Sequence, residues 1–219
     1  MDEQSSQELT VAAAPDIPGL RFRRWRGDAD YPVLLALNTA SKIADGMDDD
    51  LHTLDTLRHS YRPMPGYLPA RDMVIAEVDG TPVACTRVVV DRLLDGSGEY
   101  WHVGFVLPDW RGRGIGRALL GWLEDHSRAL QGAQPAGDPV FLQADVDRRE
   151  PRRERLVQRL GYTAVRYEFN MATPDLDHIP DVPVPPGLEI RPVTPDQYPA
   201  IWEAMTEAFR DHWGASLDD

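Results

Sequence analysis

Six residues, Arg111-Gly112-Arg113-Gly114-Ile115-Gly116, stand between a hydrophobic run at 100–107 and a helical pattern that opens near Gly114. Glycine at 112, 114 and 116 removes the Cβ atoms that would hold a phosphate off the backbone, so several amide N–H groups can converge on one pyrophosphate at a helix start. Each charge-assisted hydrogen bond of this kind contributes roughly 1.5–3 kcal/mol, and the helix adds the equivalent of about half a positive charge. Arg111, Arg113 and Arg117 bring full charges. The loop lacks the Gly-Lys-Ser/Thr ending with which a nucleoside triphosphate loop holds its β/γ-phosphates and magnesium. It also follows the fourth apparent strand, whereas a dinucleotide fingerprint belongs to the first strand of a βαβ unit.

Alternation along the preceding strand puts Tyr100, His102, Gly104 and Val106 on one side and Trp101, Val103, Phe105 and Leu107 on the other. The second side is wholly apolar and reads as core, which leaves the mixed side to face a substrate. His102, with an ordinary pKa near 6.5, is the first candidate for a general base, and Tyr100 is the second. Glu99 lies beside them but points the other way. A polar residue at a strand end is the alternative reading of His102.

The pattern Arg/Gln-x-x-Gly-x-Gly/Ala is met by Arg111, Gly114 and Gly116, with Val106-Leu107-Pro108 upstream and Ala118-Leu119-Leu120 downstream. Residues 104–120 thus resemble motif A of the GNAT acyl-CoA-dependent N-acetyltransferases. The resemblance implies that Arg111, Gly112, Arg113, Gly114, Ile115, Gly116 and Arg117 hold the pyrophosphate of coenzyme A, while Gly104, Phe105 and Val106 offer backbone to its pantetheine arm. It implies acetyl-CoA as co-substrate, no metal, and direct attack by a primary amine of a small molecule; Tyr100 falls where some members carry a basic Glu. It also implies an α/β fold with a mostly antiparallel central sheet, splayed parallel strands 4 and 5, and flanking helices.

One departure bears on activity. Members that use a tyrosine general acid place it four residues before the Gly of a helix-ending Leu-Gly-Phe/Tyr, and here, before Leu160-Gly161-Tyr162, that position is Val157. Losing a general acid costs about 10²–10⁴ in rate. Either another donor serves, Tyr162 or Tyr167, or the module is a catalytically reduced acyl-CoA binder. The frequent Asn after the fifth strand is also missing, with Asp145 and Asp147 in that region.

The positioning elements follow from periodicity. Residues 1–18 read as a disordered tail. A strand at 20–24 is followed by helices at 28–44 and 49–61, and strands 73–78 and 82–90 flank Asp79-Gly80, a strong hairpin signal. After the loop, Ile115, Leu119, Trp122, Leu123 and His126 share a helix face, His126 as a half-buried surface histidine. Strand 140–146, helix 151–160 and strand 162–171 complete the order β, α, α, β, β, β, α, β, α, β expected of a GNAT domain over 19–172.

Residues 173–186, with Pro174, Pro180, Pro183, Pro185 and Pro186, read as a stiff linker. Beyond it Pro186-Gly187-Leu188-Glu189-Ile190-Arg191 repeats Pro18-Gly19-Leu20-Arg21-Phe22-Arg23, and Tyr198-Pro199 repeats Tyr31-Pro32. Residues 187–219 therefore read as the first strand and helix of a second, incomplete GNAT module, an arrangement similar to that of tandem GNAT proteins such as mycothiol synthase. About 33 residues cannot bury a core alone, so either the chain is a fragment of a tandem acetyltransferase, the favoured reading, or this piece docks on the first domain or another subunit; a second module or a homodimer is the expected partner.

Composition sets limits. The 219-residue chain carries a formal charge of −13, which argues against nucleic acid and slightly favours a cationic amine. Its one cysteine, Cys85, excludes an intramolecular disulfide and a cysteine-based zinc cluster. No apolar run reaches the ~20 residues that span a bilayer, and the acidic start lacks a signal peptide's basic region. A cytoplasmic enzyme with no membrane association is the expectation.

Overall fold

The computed structural model describes residues 8–132, 139–173 and 175–212. Residues 1–7 of the expected tail, Pro174 of the linker and residues 213–219 of the second module lie outside that set. The chain builds β1 (Leu20–Arg23), α1 (Tyr31–Ala44), α2 (Leu54–Ser60), α3 (Pro69–Asp72), β2 (Met73–Val78), β3 (Thr81–Arg92), β4 (Gly98–Val106), α4 (Ile115–Gly132), β5 (Val140–Gln143), α5 (Pro151–Arg159) and α6 (Tyr198–Ala208). The sheet order is β1-β2-β3-β4-β5. It is antiparallel except for the last pair, β4–β5, which is parallel.

Local chemistry explains several boundaries. Asp79 and Gly80 both take positive φ, 49° and 78°, as a two-residue hairpin whose twist matches its strands requires. The second helix starts later than its periodicity suggests because Thr53 caps it, its hydroxyl accepting the Thr56 N–H at 3.1 Å. Residues 48–50 form only a short 3₁₀ turn ahead of it.

Both faces of the sheet are buried, and β2 shows why. Met73 and Ile75 pack with Tyr31, Leu34, Leu37, Leu57 and Cys85 beneath α1 and α2. Val74, Ala76 and Val78 pack with Ile115, Leu119, Trp122 and Leu123 of α4. His126 closes that face's edge, Nε2 2.9 Å from Oδ1 of the buried Asp72, with its ring stacked on Trp122.

Three expectations are corrected. The segment 8–18 is not a free tail: Leu9 N–H donates to the Phe22 carbonyl at 2.8 Å, and Val11 is 5% exposed in the α4-side core. Its spacing of single apolar residues among alanines and prolines carries no periodic signal, so only tertiary contacts reveal it. The strand expected at 162–171 does not join the sheet; Val165, Tyr167, Phe169 and Met171 alternate as a strand would but are all exposed. Among the described residues of the second repeat the helix forms, as α6, while 187–191 forms no strand. The α6 stripe of Tyr198, Ile201, Trp202 and Met205 is exposed.

Candidate active site

The β4–β5 pairing runs only from Gly98↔Val140 to Trp101↔Gln143. β5 ends at Gln143, so beyond Trp101 the β5-facing edge of β4 has no strand partner among the described residues. A cleft of about 650 Å³ opens there, lined by β4 from His102 to Val106, the loop glycines 112, 114 and 116, one face of α4, and α5.

The loop has the geometry that its composition predicts. Gly112 and Gly114 adopt φ of 77° and 92°, a region costly for other residues. A Cβ on Gly114 would come 3.2 Å from Cβ of Pro15, so the docked N-terminal segment braces the loop from outside. On β4 a Cβ on Gly104 would meet the Thr86 hydroxyl at 2.9 Å and the Cys85 carbonyl at 3.1 Å. Gly104 thus leaves no room for a side chain against Thr86 of β3.

The arginines divide by role. Arg111 donates through Nη1 and Nη2 to Asp45 at 2.6 and 2.7 Å, and to Ser41 Oγ, at the end of α1. Its Nε–H donates to the Val106 carbonyl at 3.1 Å. Its side chain therefore ties α1 to the loop, and what it leaves for an anion is its backbone. Arg113 stacks on Trp110, 4.7 Å from the ring centre. Arg117, Arg152, Arg155 and Arg159 line the cleft exposed. Arg153 reaches the His102 carbonyl at 3.4 Å.

The two faces of β4 are the reverse of the sequence expectation. Tyr100 and His102 are 1% and 2% exposed and lie under α4, whereas Phe105 packs toward α1 and α2. The cause is α4 itself, whose apolar stripe must be covered and takes the mixed side of β4 as its cover. His102 Nε2 lies 3.2 Å from Ser127 Oγ, and its Nδ1 lies 3.1 Å from the Tyr162 hydroxyl. Burial, with Arg153 nearby, lowers its pKa to about 4, so at neutral pH the ring is uncharged, donating at one nitrogen and accepting at the other. Tyr100 and Tyr162 are both pushed up by burial. Tyr167, the other conceivable donor, is 76% exposed in the unpaired segment.

Sequence reasoning set Glu99 aside. It is 3% exposed, and burial raises its pKa against the opposing influence of the Gln143 and Trp101 side chains. Alternation puts it on the Trp101 and Val103 side, toward α1 and α2. Val157, in the place of the missing tyrosine, is 8% exposed and lines the cleft.

Comparison with known proteins agrees with this geometry. The family model "Acetyltransferase (GNAT) domain" matches residues 69–164, from α3 through the loop to the end of α5. Mycothiol acetyltransferase of Frankia casuarinae is 29% identical over 199 residues, 89% of this chain and 49% of that protein. Mycothiol acetyltransferase of Salinispora arenicola is 30% identical over 181 residues, 82% of this chain and 52% of that protein. The chain spans about half the length of these curated relatives. Among solved structures, a GCN5-related N-acetyltransferase from Sphaerobacter thermophilus superposes with a TM-score of 0.65 at 22% identity, covering 90% of this chain and 65% of that one. An aminoglycoside N-acetyltransferase in complex with CoA superposes at 0.50 with 14% identity, covering 74% of this chain and 99% of its own. These structures share the fold, and the family match falls on the segment that builds the cleft. With an unpaired β4 edge beside a glycine loop at a helix start, residues 69–164 of the chain match the GNAT acetyltransferase domain.

Proposed function

We propose that this chain is an acetyl-CoA-dependent N-acetyltransferase module that moves an acetyl group to a primary amine of a small molecule by direct attack. The observation that carries the reading is the convergence, in one cleft of about 650 Å³, of the glycine loop, the unpartnered edge of β4 and Arg117, Arg152, Arg155 and Arg159, which have no carboxylate partner among the described residues. The relatives named mycothiol acetyltransferase support acetyl transfer. On this reading the N–H groups of residues 112–117, the α4 N-terminus and Arg117 hold the pyrophosphate. The β4 edge from His102 to Val106 lies beside the pantetheine arm, and a backbone N–H there is the donor for the oxyanion.

The acceptor enters from the α1/α2 side, since α4 closes the other. An amine of pKa near 10.4 must lose its proton, which at pH 7 costs about 4.6 kcal/mol. Of the candidates on β4, His102 and Tyr100 are sealed under α4, and a ring with a pKa of about 4 is a weak acceptor of that proton. We assign the general base to Glu99 for the side of β4 it occupies, toward α1 and α2: it is as buried as His102 and stands outside the cleft lining, so it acts through water, and burial raises its pKa toward the working range.

Val157 favours a second reading, in which the module binds acetyl-CoA and turns it over slowly. A thiol leaves with a pKa near 8.5, so departure without an acid is slowed, not blocked. We further propose that residues 187 onward belong to a second GNAT module, as the repeat, the exposed α6 stripe and the length of the relatives suggest. The deciding experiment is release of free thiol from acetyl-CoA across a panel of primary amines. Amine-dependent release that falls with Glu99→Gln supports the enzyme. Tight acetyl-CoA binding with no release from any amine supports the second reading, and no binding rejects both.

A further inference from the structure

We propose that α5 reads the ribose 3′-phosphate of coenzyme A through Arg152 and Arg155. The proposal rests on the acetyl-CoA reading above and adds to it a subsite that lies outside the loop motif.

Arg152, Arg155 and Arg159 stand at i, i+3 and i+7 of α5. At about 100° per residue they share a sector of about 60°, spread over roughly 10 Å of helix axis. All three line the cleft, and among the described residues none has a hydrogen bond or an ion pair. The carboxylates nearby are engaged elsewhere. Glu154, on the opposite side of α5, accepts from Gln158 at 3.2 Å, and Glu150 pairs with Arg153 at 3.7 Å. Other arginines of the domain are paired, Arg23 with Asp30 at 2.8 Å, Arg71 with Asp72 at 2.7 Å and Arg111 with Asp45 at 2.6 Å. In a chain with 36 acidic residues against 23 basic ones, a solvated face would carry both signs; this one carries only positive charge.

Placement and charge then select the ligand group. Arg152 Nη1 lies 3.9 Å from where a Cβ on Gly112 would stand, so the stripe begins at the loop and runs away from it. The loop amides, the α4 N-terminus and Arg117 suffice for a pyrophosphate of two charges. Coenzyme A carries one more anionic group close to that pyrophosphate, a phosphomonoester of about −1.5 to −2 at pH 7. Two guanidiniums one turn apart match its oxygens.

The test is an equilibrium titration of the full chain with CoA and with dephospho-CoA, which lacks only the 3′-phosphate. Wild-type protein is expected to bind CoA about tenfold more tightly, an advantage that shrinks with salt. The double variant Arg152→Gln/Arg155→Gln should lose that tenfold for CoA and keep its dephospho-CoA affinity within about twofold. Both side chains are exposed, so the fold should survive; if the double variant unfolds, Arg155→Gln alone is read in the same way. Equal losses for both ligands would overturn the assignment in favour of the pyrophosphate. No preference in the wild type would also overturn it. Failure of either ligand to bind would instead remove the acetyl-CoA reading on which it rests.

Discussion

Replacing His102 by Gln separates a buried structural imidazole from a catalytic base. Gln keeps one donor and one acceptor for Ser127 and Tyr162, the groups at 3.2 and 3.1 Å from the ring nitrogens, but cannot be protonated. Folded His102 has a pKa of about 4, against about 6.5 when unfolded. A lowered histidine pKa means that the unfolded chain binds the proton first. Its contribution is therefore intact above pH 6.5 and is lost as pH falls toward 4. Linkage puts the loss at about 2 kcal/mol by pH 5 and about 3 kcal/mol in full. Urea unfolding at pH 7 and pH 5 reads it directly: wild-type protein should lose about 2 kcal/mol more than His102→Gln over that interval. Parallel losses in the two proteins would show that His102 is not held neutral by burial, and would restore it as a candidate base.

Three further outcomes are expected. Val157→Tyr should raise the turnover of a weakened enzyme tenfold or more while leaving acetyl-CoA affinity unchanged; single-turnover kinetics would show no gain if another acid already serves. Arg111→Ala removes the bidentate pair to Asp45 and should cost about 2 kcal/mol of stability while changing acetyl-CoA affinity less than tenfold, since its side chain is already committed to α1; a large affinity loss in calorimetry with little change in unfolding would reverse that assignment. Truncation after residue 172 should leave acetyl-CoA binding and the main thermal transition nearly intact, because residues 175–212 are almost wholly exposed; loss of most thermal stability in calorimetric scans would place them in the first domain's core.

What was legible in the sequence is what depends on neighbouring residues. The Asp79-Gly80 hairpin, the strand–loop–helix from β4 to α4 and the position of Val157 could all be read from short spacings. Which way a strand faces could not. Alternation divides β4 into two sides, but both α1 and α4 offer apolar faces, and the choice between them belongs to tertiary packing. The same limit hid Arg111, whose partners Ser41 and Asp45 lie about 70 residues away. It also hid Val11, a single valine whose burial depends on Phe22 and α4. At 162–171 the pattern predicts a strand that the sheet does not take up, since strand pairing depends on a partner as well as on alternation.

The central claim, that the 111–117 loop cradles the pyrophosphate of acetyl-CoA, is tested most directly by calorimetric titration of wild-type protein and Gly112→Asp. Both positions have a positive φ that strains any side chain, but 112 is preferable to 114, where a Cβ would also strike Pro15; at 112 the one neighbour of an added Cβ within 4 Å is the Arg152 guanidinium at 3.9 Å. The account predicts saturable one-site binding to the wild type and a loss of about thirtyfold or more in a Gly112→Asp protein that still unfolds cooperatively. Unchanged affinity in that folded variant would contradict it.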